Sequence, residues 1–234
     1  MMGPPAPGAA PLLIACALGI ERFALRSGER GGAPGPLTVL RTGMGPQAAE
    51  RTVTRTMRED PAARDAAVIA TGFCAGLAPG MHPGDVVVAD ETRDSEGSTA
   101  CTGTEVLAKA LADLLGDRPV RPGGRARTIH TGPLTGSDHV VRGAERAELR
   151  ATGAIAVDME SAVTLRSAMR VPADGIWRRP GTRPVAAVRV VVDAPEHELV
   201  RIGTLCGGIS AFRVLRAVLP AFFEWHRSLL LPRR

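Results

Sequence analysis

Asp158 and Glu160 bracket Met159 at the end of an apolar run, AIAV, and the helical pattern SAVTLRSAMR follows at once. A strand turning directly into a helix sets such carboxylates at the strand's carboxyl end, the edge where open α/β sheets bind ligands. Either could instead cap the helix, because a first-turn carboxylate satisfies orphan amides and suits the helix dipole. Asp193 ends a second buried run, residues 185–192, and Glu21 with Arg22 stands just past a third, residues 12–18. Separated carboxylates at strand ends are equipped for acid, base or electrostatic work.

Other chemistries find less support. Ser137, Asp138 and His139 are consecutive, whereas the members of a hydrolytic triad converge from separate elements, so they read as loop or pocket lining. Cys16, Cys74, Cys101 and Cys206 form no Cys-x-x-Cys pair and have no histidine at zinc spacing, so no metal site is expected. Cys16 and Cys74 lie in apolar runs, as buried free thiols do, which fits a reducing cytoplasm. His82, His130 and His226 read as loop or surface residues, and His197 is of interest for lying one turn beyond Asp193.

The elements that must position the carboxylates are legible as strands alternating with helices. Residues 12–18 and 37–41 read as strands, each followed by a turn and a helix. Gly43, Met44 and Gly45 form the second turn, where glycine lets backbone amides approach a ligand, and a helix starts near Pro46. Residues 67–71, 85–89, about 127–130 and 185–192 are further strands. TEVLAKALADLLG is an amphipathic helix with Leu107, Leu111, Leu114 and Leu115 on its core face. Residues 204–231 form a long apolar helix that Pro220 must kink or split. The alternation implies a three-layer α/β/α sandwich with a central sheet.

With 234 residues the chain can bury a large core, and no compositional break divides it. Residues 1–11, rich in Pro, Gly and Ala, form a disordered tail ahead of one domain over 12–234. The net charge of +5 comes from scattered arginines without a basic stripe, and aromatics are 3%, so no nucleic-acid partner is expected. LLIACAL lacks a basic leader and is too short to span a bilayer.

Five pieces in order, ALGIE, TGMG, TGFCAGLAPGMHPGDVVVADE, AVDMESA and VRVVVD, resemble the nucleoside phosphorylase and nucleosidase superfamily. The resemblance runs from Leu12 to about Leu219, and AVDMESA is its most specific piece. It implies a mixed twisted sheet flanked by helices, homo-oligomers, a small-molecule nucleoside substrate and cleavage of an N-glycosidic bond. CALGIERFALRSG, TGPLTGSD and VVDAPEHE are most similar to the hopanoid-associated branch, which acts on adenosylhopane by phosphorolysis. No cofactor is implied beyond inorganic phosphate as co-substrate of a phosphorylase; the alternatives are a hydrolytic nucleosidase of the methylthioadenosine/adenosylhomocysteine or futalosine type and, in another class, a non-catalytic nucleoside-binding oligomer.

By the same resemblance, Glu160 holds the ribose hydroxyls, Met159 packs beneath the sugar, and Asp193 faces the purine. Glu21 matches the water-activating glutamate of the nucleosidases, its alternative being an exposed first-turn residue. Gly43, Gly45, Thr71 and Phe73 line the ribose and nucleophile pocket. Hexameric phosphorylases carry an arginine and a serine where this chain has Ala70 and Phe73, which leaves phosphate to Arg22 or Arg41. Asp158 replaces a more usual glutamate.

The chemistry suits two carboxylates: a purine leaving C1′ creates a cationic sugar and an anionic base. Glu160 would meet the cation, and a protonated Asp193 the base at N7. At a reference pKa of about 3.9, roughly one aspartate in a thousand is protonated at pH 7, and a rise of about three units costs about 4 kcal/mol. The C-terminal segment packs on the sheet or in a subunit interface. Phe222, Phe223 and Trp225 beyond Pro220 could also touch a membrane, with Arg227, Arg233 and Arg234 near anionic lipid.

Overall fold

The computed structural model describes residues 10–29, 31–116, 126–177, 179, 181–194 and 211–231. The chain begins with β1 (Leu12–Cys16), α1 (Gly19–Arg26), β2 (Leu37–Arg41), α2 (Pro46–Glu59) and the short α3 (Pro61–Arg64). Next come β3 (Ala67–Gly76), β4 (Val86–Asp94), β5 (Gly97–Ala100) and α4 (Thr104–Leu115). After them follow β6 (Ile129–Gly136), α5 (Ala144–Ala151), β7 (Ala156–Asp158), α6 (Ser161–Arg170) and β8 (Val185–Asp193). A helical segment, α7, occupies 211–217, and α8 spans Leu219–Leu230.

The sheet is mixed. β1 runs parallel to β2 and β3, and β3 parallel to β8, so these four carboxyl ends share one edge. β8 pairs antiparallel with β4, β4 parallel with β6, β6 parallel with β7, and β7 antiparallel with the end of β3. The ring β3–β8–β4–β6–β7 therefore closes on itself, leaving β2 and β5 at the edges.

Helices cover both faces. Leu12, Ile14 and Cys16 pack with α1, α4, α7 and α8, while Leu13 packs with α2 and α6 on the other side. This period-2 division of a wholly apolar strand is what burial on two faces produces. The α/β/α layering expected from the sequence is the one observed.

Ala10 is buried and the Pro11 carbonyl accepts from the Ala67 amide, so the last two residues of the expected tail already belong to the fold. Residues 1–9 and His197 lie outside the described residues. Pro220 separates α7 from α8 and sits in the first turn of α8, where its missing N–H matters least. Phe222, Phe223 and Trp225 are 0%, 1% and 0% exposed, and the Trp225 indole donates to the Thr102 carbonyl at 2.7 Å. This corrects the expected membrane contact: these rings are core and cannot enter a headgroup layer without unmaking α8. Among the described residues no helix is long and apolar enough to cross a membrane.

Candidate active site

At the shared carboxyl edge lies a cavity of about 200 Å³. β1 delivers Ala17 and Leu18, α1 Glu21, the turn after β2 Met44, and β3 Phe73 to Ala75. Asp158, Met159 and Glu160 enter from β7 and its junction with α6, Asp193 from β8, Arg146 from α5, and His139 to Val141 from the loop before it. A bulge between Cys74 and Ala75 shifts the register so that Ala75 opposes Asp193, turning the ends of β3 and β8 towards the site.

The two carboxylates of AVDMESA divide their roles. Asp158 caps α6 by accepting from the Ser161 amide at 3.1 Å and pairs with Arg189 Nη2 at 2.5 Å. Glu160 accepts from the Gly45 amide at 2.8 Å, which ties the junction to the glycine turn. Gly43 and Gly45, at φ +89° and +88°, hold that turn open. Neither Gly43 nor Gly45 lines the cavity, contrary to the expectation; Met44 between them does.

Glu21 is 2% exposed, not an exposed helix residue. Its Oε2 accepts from the Ala17 and Leu18 amides at 2.9 and 2.8 Å, capping α1, and its Oε1 accepts from the Phe73 amide at 2.9 Å. Burial raises its pKa despite Arg189 and these three donors. Burial likewise raises that of Glu160, against the pull of Arg189.

Arg189 is the central cation of the site. It lies beside Gly72 in register, is 1% exposed, and donates from Nε to Ser161 Oγ at 2.8 Å. Burial disfavours its charge, but Asp158, Glu160 and Glu21 outweigh that and hold its pKa above the ordinary value. Nη1 is buried with no hydrogen-bond partner. A Cβ at Gly72 would stand 2.4 Å from Glu21 Oε1 and 2.7 Å from Arg189 Nη1. Only glycine therefore lets these two groups converge, and φ of +137° there favours glycine independently.

At the other end Arg146 Nη2 donates to Asp193 Oδ2, and both side chains are largely buried, 8% and 13% exposed. Arg146 Nη1 is buried without a partner.

Of the residues expected at the site, Asp193, Glu21, Glu160, Met159 and Phe73 line one cavity. Thr71 is fully buried off the lining, and Arg22 and Arg41 are exposed and do not line it. Ser137 and Asp138 both approach Nδ1 of His139, at 3.4 and 2.7 Å, so no relay through opposite ring nitrogens exists. Cys74 lines the cavity, but burial pushes its thiol pKa up, leaving it protonated and unreactive. Among the described residues no cluster suited to a metal ion occurs.

Sequence reasoning missed Arg146 and Arg189. Arg189 was detectable as a lone charge inside VAAVRVVVD, since a charge in a doubly buried strand must be paired. Arg146 carried no such signal in the polar helix AERAELRA.

The family model of the phosphorylase superfamily matches residues 20–201. The chain belongs to this superfamily. The phosphorylase-superfamily segment thus contains Glu21, Arg146, Glu160, Arg189 and Asp193. No curated protein matches the sequence significantly. Among solved structures, the 5′-methylthioadenosine/S-adenosylhomocysteine nucleosidase of Neisseria meningitidis, in complex with methylthio-immucillin-A, is similar with TM-score 0.70 and 18% identity. That match covers 94% of this chain and 99% of the other. S-adenosylhomocysteine nucleosidase of Streptococcus pyogenes follows with TM-score 0.67, 16% identity and 98% and 100% coverage. Futalosine hydrolase of Helicobacter pylori gives 0.66, 14%, and 94% and 98%. The fold is thus that of the superfamily.

Proposed function

We propose that this phosphorylase-superfamily enzyme cleaves the N-glycosidic bond of a 5′-substituted adenine nucleoside, with water as the nucleophile. The observation that carries this reading is the convergence of Glu21, Glu160 and Asp193 on one cavity, with Arg189 beneath them. Glu160 accepts from the ribose hydroxyls while Met159 supports the sugar. Both Glu160 and Glu21 favour the positive charge that grows on the sugar as the base departs. Glu21 lines the cavity as proton acceptor for the attacking water, and the nearby Arg189 charge favours its ionised form. The base end belongs to Asp193 and Arg146.

Hydrolysis suits the electrostatics better than the phosphorolysis expected from sequence. Arg22 and Arg41, the cations left for phosphate, are exposed outside the lining. A phosphate dianion would also approach the Glu21 and Glu160 carboxylates, with Arg189 already neutralised by Asp158. Phosphorolysis of adenosylhopane remains a second reading, supported by CALGIERFALRSG and by the apolar Met44 and Val140 at the mouth, 69% and 62% exposed, which suit a bulky apolar 5′ group. The discriminating experiment is adenine release from 5′-methylthioadenosine with and without inorganic phosphate. Equal rates in phosphate-free buffer are expected, and a ~100-fold or greater loss in Glu21→Gln. An absolute phosphate requirement with an unaffected Glu21→Gln overturns the hydrolytic reading.

A further inference from the structure

A second cavity, of about 190 Å³, lies at the opposite edge of the sheet, between the end of α6 and the segment that leads into β8. Arg183 stands just before β8 and Asp193 at its end, so the rise of the extended strand sets this cavity roughly 25 Å from the catalytic one. Arg170, Arg179 and Arg183 line it, and among the described residues no carboxylate does. Trp177 shares the wall with the apolar Val171 and Pro172.

The three cations differ in what already holds them. Arg170 reaches Glu96 at 3.0 Å and Glu50 at 3.7 Å on its exposed side. Arg179 is exposed and has no ion pair among the described residues. Arg183 is 5% exposed, and its Nη1 and Nη2 donate to the Ala66 and Val171 carbonyls at 2.7 and 2.9 Å, which ties the end of α6 to the start of β3. Carbonyl dipoles do not neutralise a buried charge. Burial pushes the Arg183 pKa down to about 10, with only the charge of Asp65 opposing, so the group is still cationic at neutral pH. Trp177 adds a fixed donor, because its Nε1 is buried with no hydrogen-bond partner, and such a donor on a cavity wall marks a place for an acceptor. A tie between elements explains the two carbonyl contacts of Arg183. It does not explain why two more arginines and an unsatisfied indole share its cavity.

We propose that this cavity binds a phosphate group, as the free ion or as a small phosphomonoester. A dianion with several acceptor oxygens answers a buried cation, two further cations and an indole donor together, where a carboxylate brings one charge and two oxygens. Guanidinium groups suit phosphate in particular, since their planar N–H pairs meet two oxygens at once. The adjoining cleft, which shares Arg170 and Pro172, adds Arg58 and Arg64 against the carboxylate of Asp174, itself held by Arg64 at 2.9 Å. The field at the entrance is therefore positive, which favours the arrival of an anion. The site does not depend on the glycosidic-cleavage reading, and phosphate bound here is too remote to attack C1′.

Trp177 and Trp225 are the only tryptophans, and Trp225 is buried in α8, so intrinsic fluorescence reports on the cavity. Inorganic phosphate titrated into the full chain at neutral pH and constant ionic strength should give a saturable change in emission, with a Kd of about 1 mM or below. The change should vanish in Trp177→Phe. Calorimetry should return the same wild-type Kd and a value raised about tenfold or more in Arg179→Ala, the loss of one hydrogen bond to a charged group. Arg179 is exposed, so its variant should keep the wild-type Tm. Ribose 5-phosphate in a parallel titration identifies the source: whichever of the free ion and the ester binds more tightly is the form the cavity takes. Chloride at the same ionic strength should leave the emission unchanged. No saturable binding of either phosphate overturns the proposal, as does an equal response to chloride. Binding that leaves Trp177 emission unchanged and is indifferent to Arg179→Ala places the anion elsewhere and overturns it too.

Discussion

Glu21 uses its two oxygens differently, and the difference has measurable consequences. Oε2 closes the first turn of α1, while Oε1 reaches across to β3 beside Arg189. Because burial raises its pKa, the proton-accepting form is lost at a higher pH than for an ordinary carboxylate of about 4.3. Activity should therefore fall as the pH drops through that raised value, and the acidic limb of the kcat profile should change in Glu21→Gln, which leaves only Glu160 to titrate among the two raised glutamates. A limb unchanged in the variant would assign it to another group. Gly72→Ala offers a steric version of the same test, since the added methyl must displace Glu21 or Arg189. Activity should drop ~100-fold or more, as in Glu21→Gln, and full activity would mean that the two groups need not converge.

At the scale of elements, α8 separates what the sequence reveals from what it hides. Its apolar residues spread over more than one face, which leaves core, interface and membrane open as partners. The fold decides for the core by closing α4 and α8 over one face of the sheet. Phe222→Ala should thus destabilise the protein by ~3–5 kcal/mol, read from denaturant midpoints, and a near-neutral effect would contradict the burial. The continuous runs of β1, β3 and β8 and the Pro46 start of α2 were legible because burial and helix entry leave local marks. β5 and α5 were not, because the edge strand GSTA and the helix AERAELRA are polar. The strand expected at about 127–130 runs on through TGPLTG as β6, since ring closure with β4 and β7 overrides the low strand propensity of Gly and Pro. Within the site, the carboxylates were legible from strand ends. The pairing of Arg146 with Asp193 was not, because 47 residues separate them in sequence and only the fold joins them.

For the molecule as a whole, burial also couples stability to pH through His226, which is 0% exposed with both ring nitrogens unpartnered. Burial pushes its pKa down to about 4. The unfolded value is about 6.5, so the unfolded state takes up a proton first as pH falls. Stability is complete above about 6.5 and declines towards about 4, by on the order of 3 kcal/mol. His226→Leu should show a shallower fall in Tm over that window, and an identical slope would remove His226 as the cause. The exposed apolar side chains Ile20 and Phe23 on α1, with Met44 and Val140 at the cavity mouth, suit the homo-oligomer that the sequence resemblance implies. The most direct test of the central claim is a turnover of 5′-methylthioadenosine in ¹⁸O-water, following adenine and the mass of the sugar. Adenine should appear together with a free sugar carrying one ¹⁸O at C1, and both should be lost in Glu160→Gln. No adenine from the wild-type enzyme, or a sugar phosphate without the label, would contradict the claim.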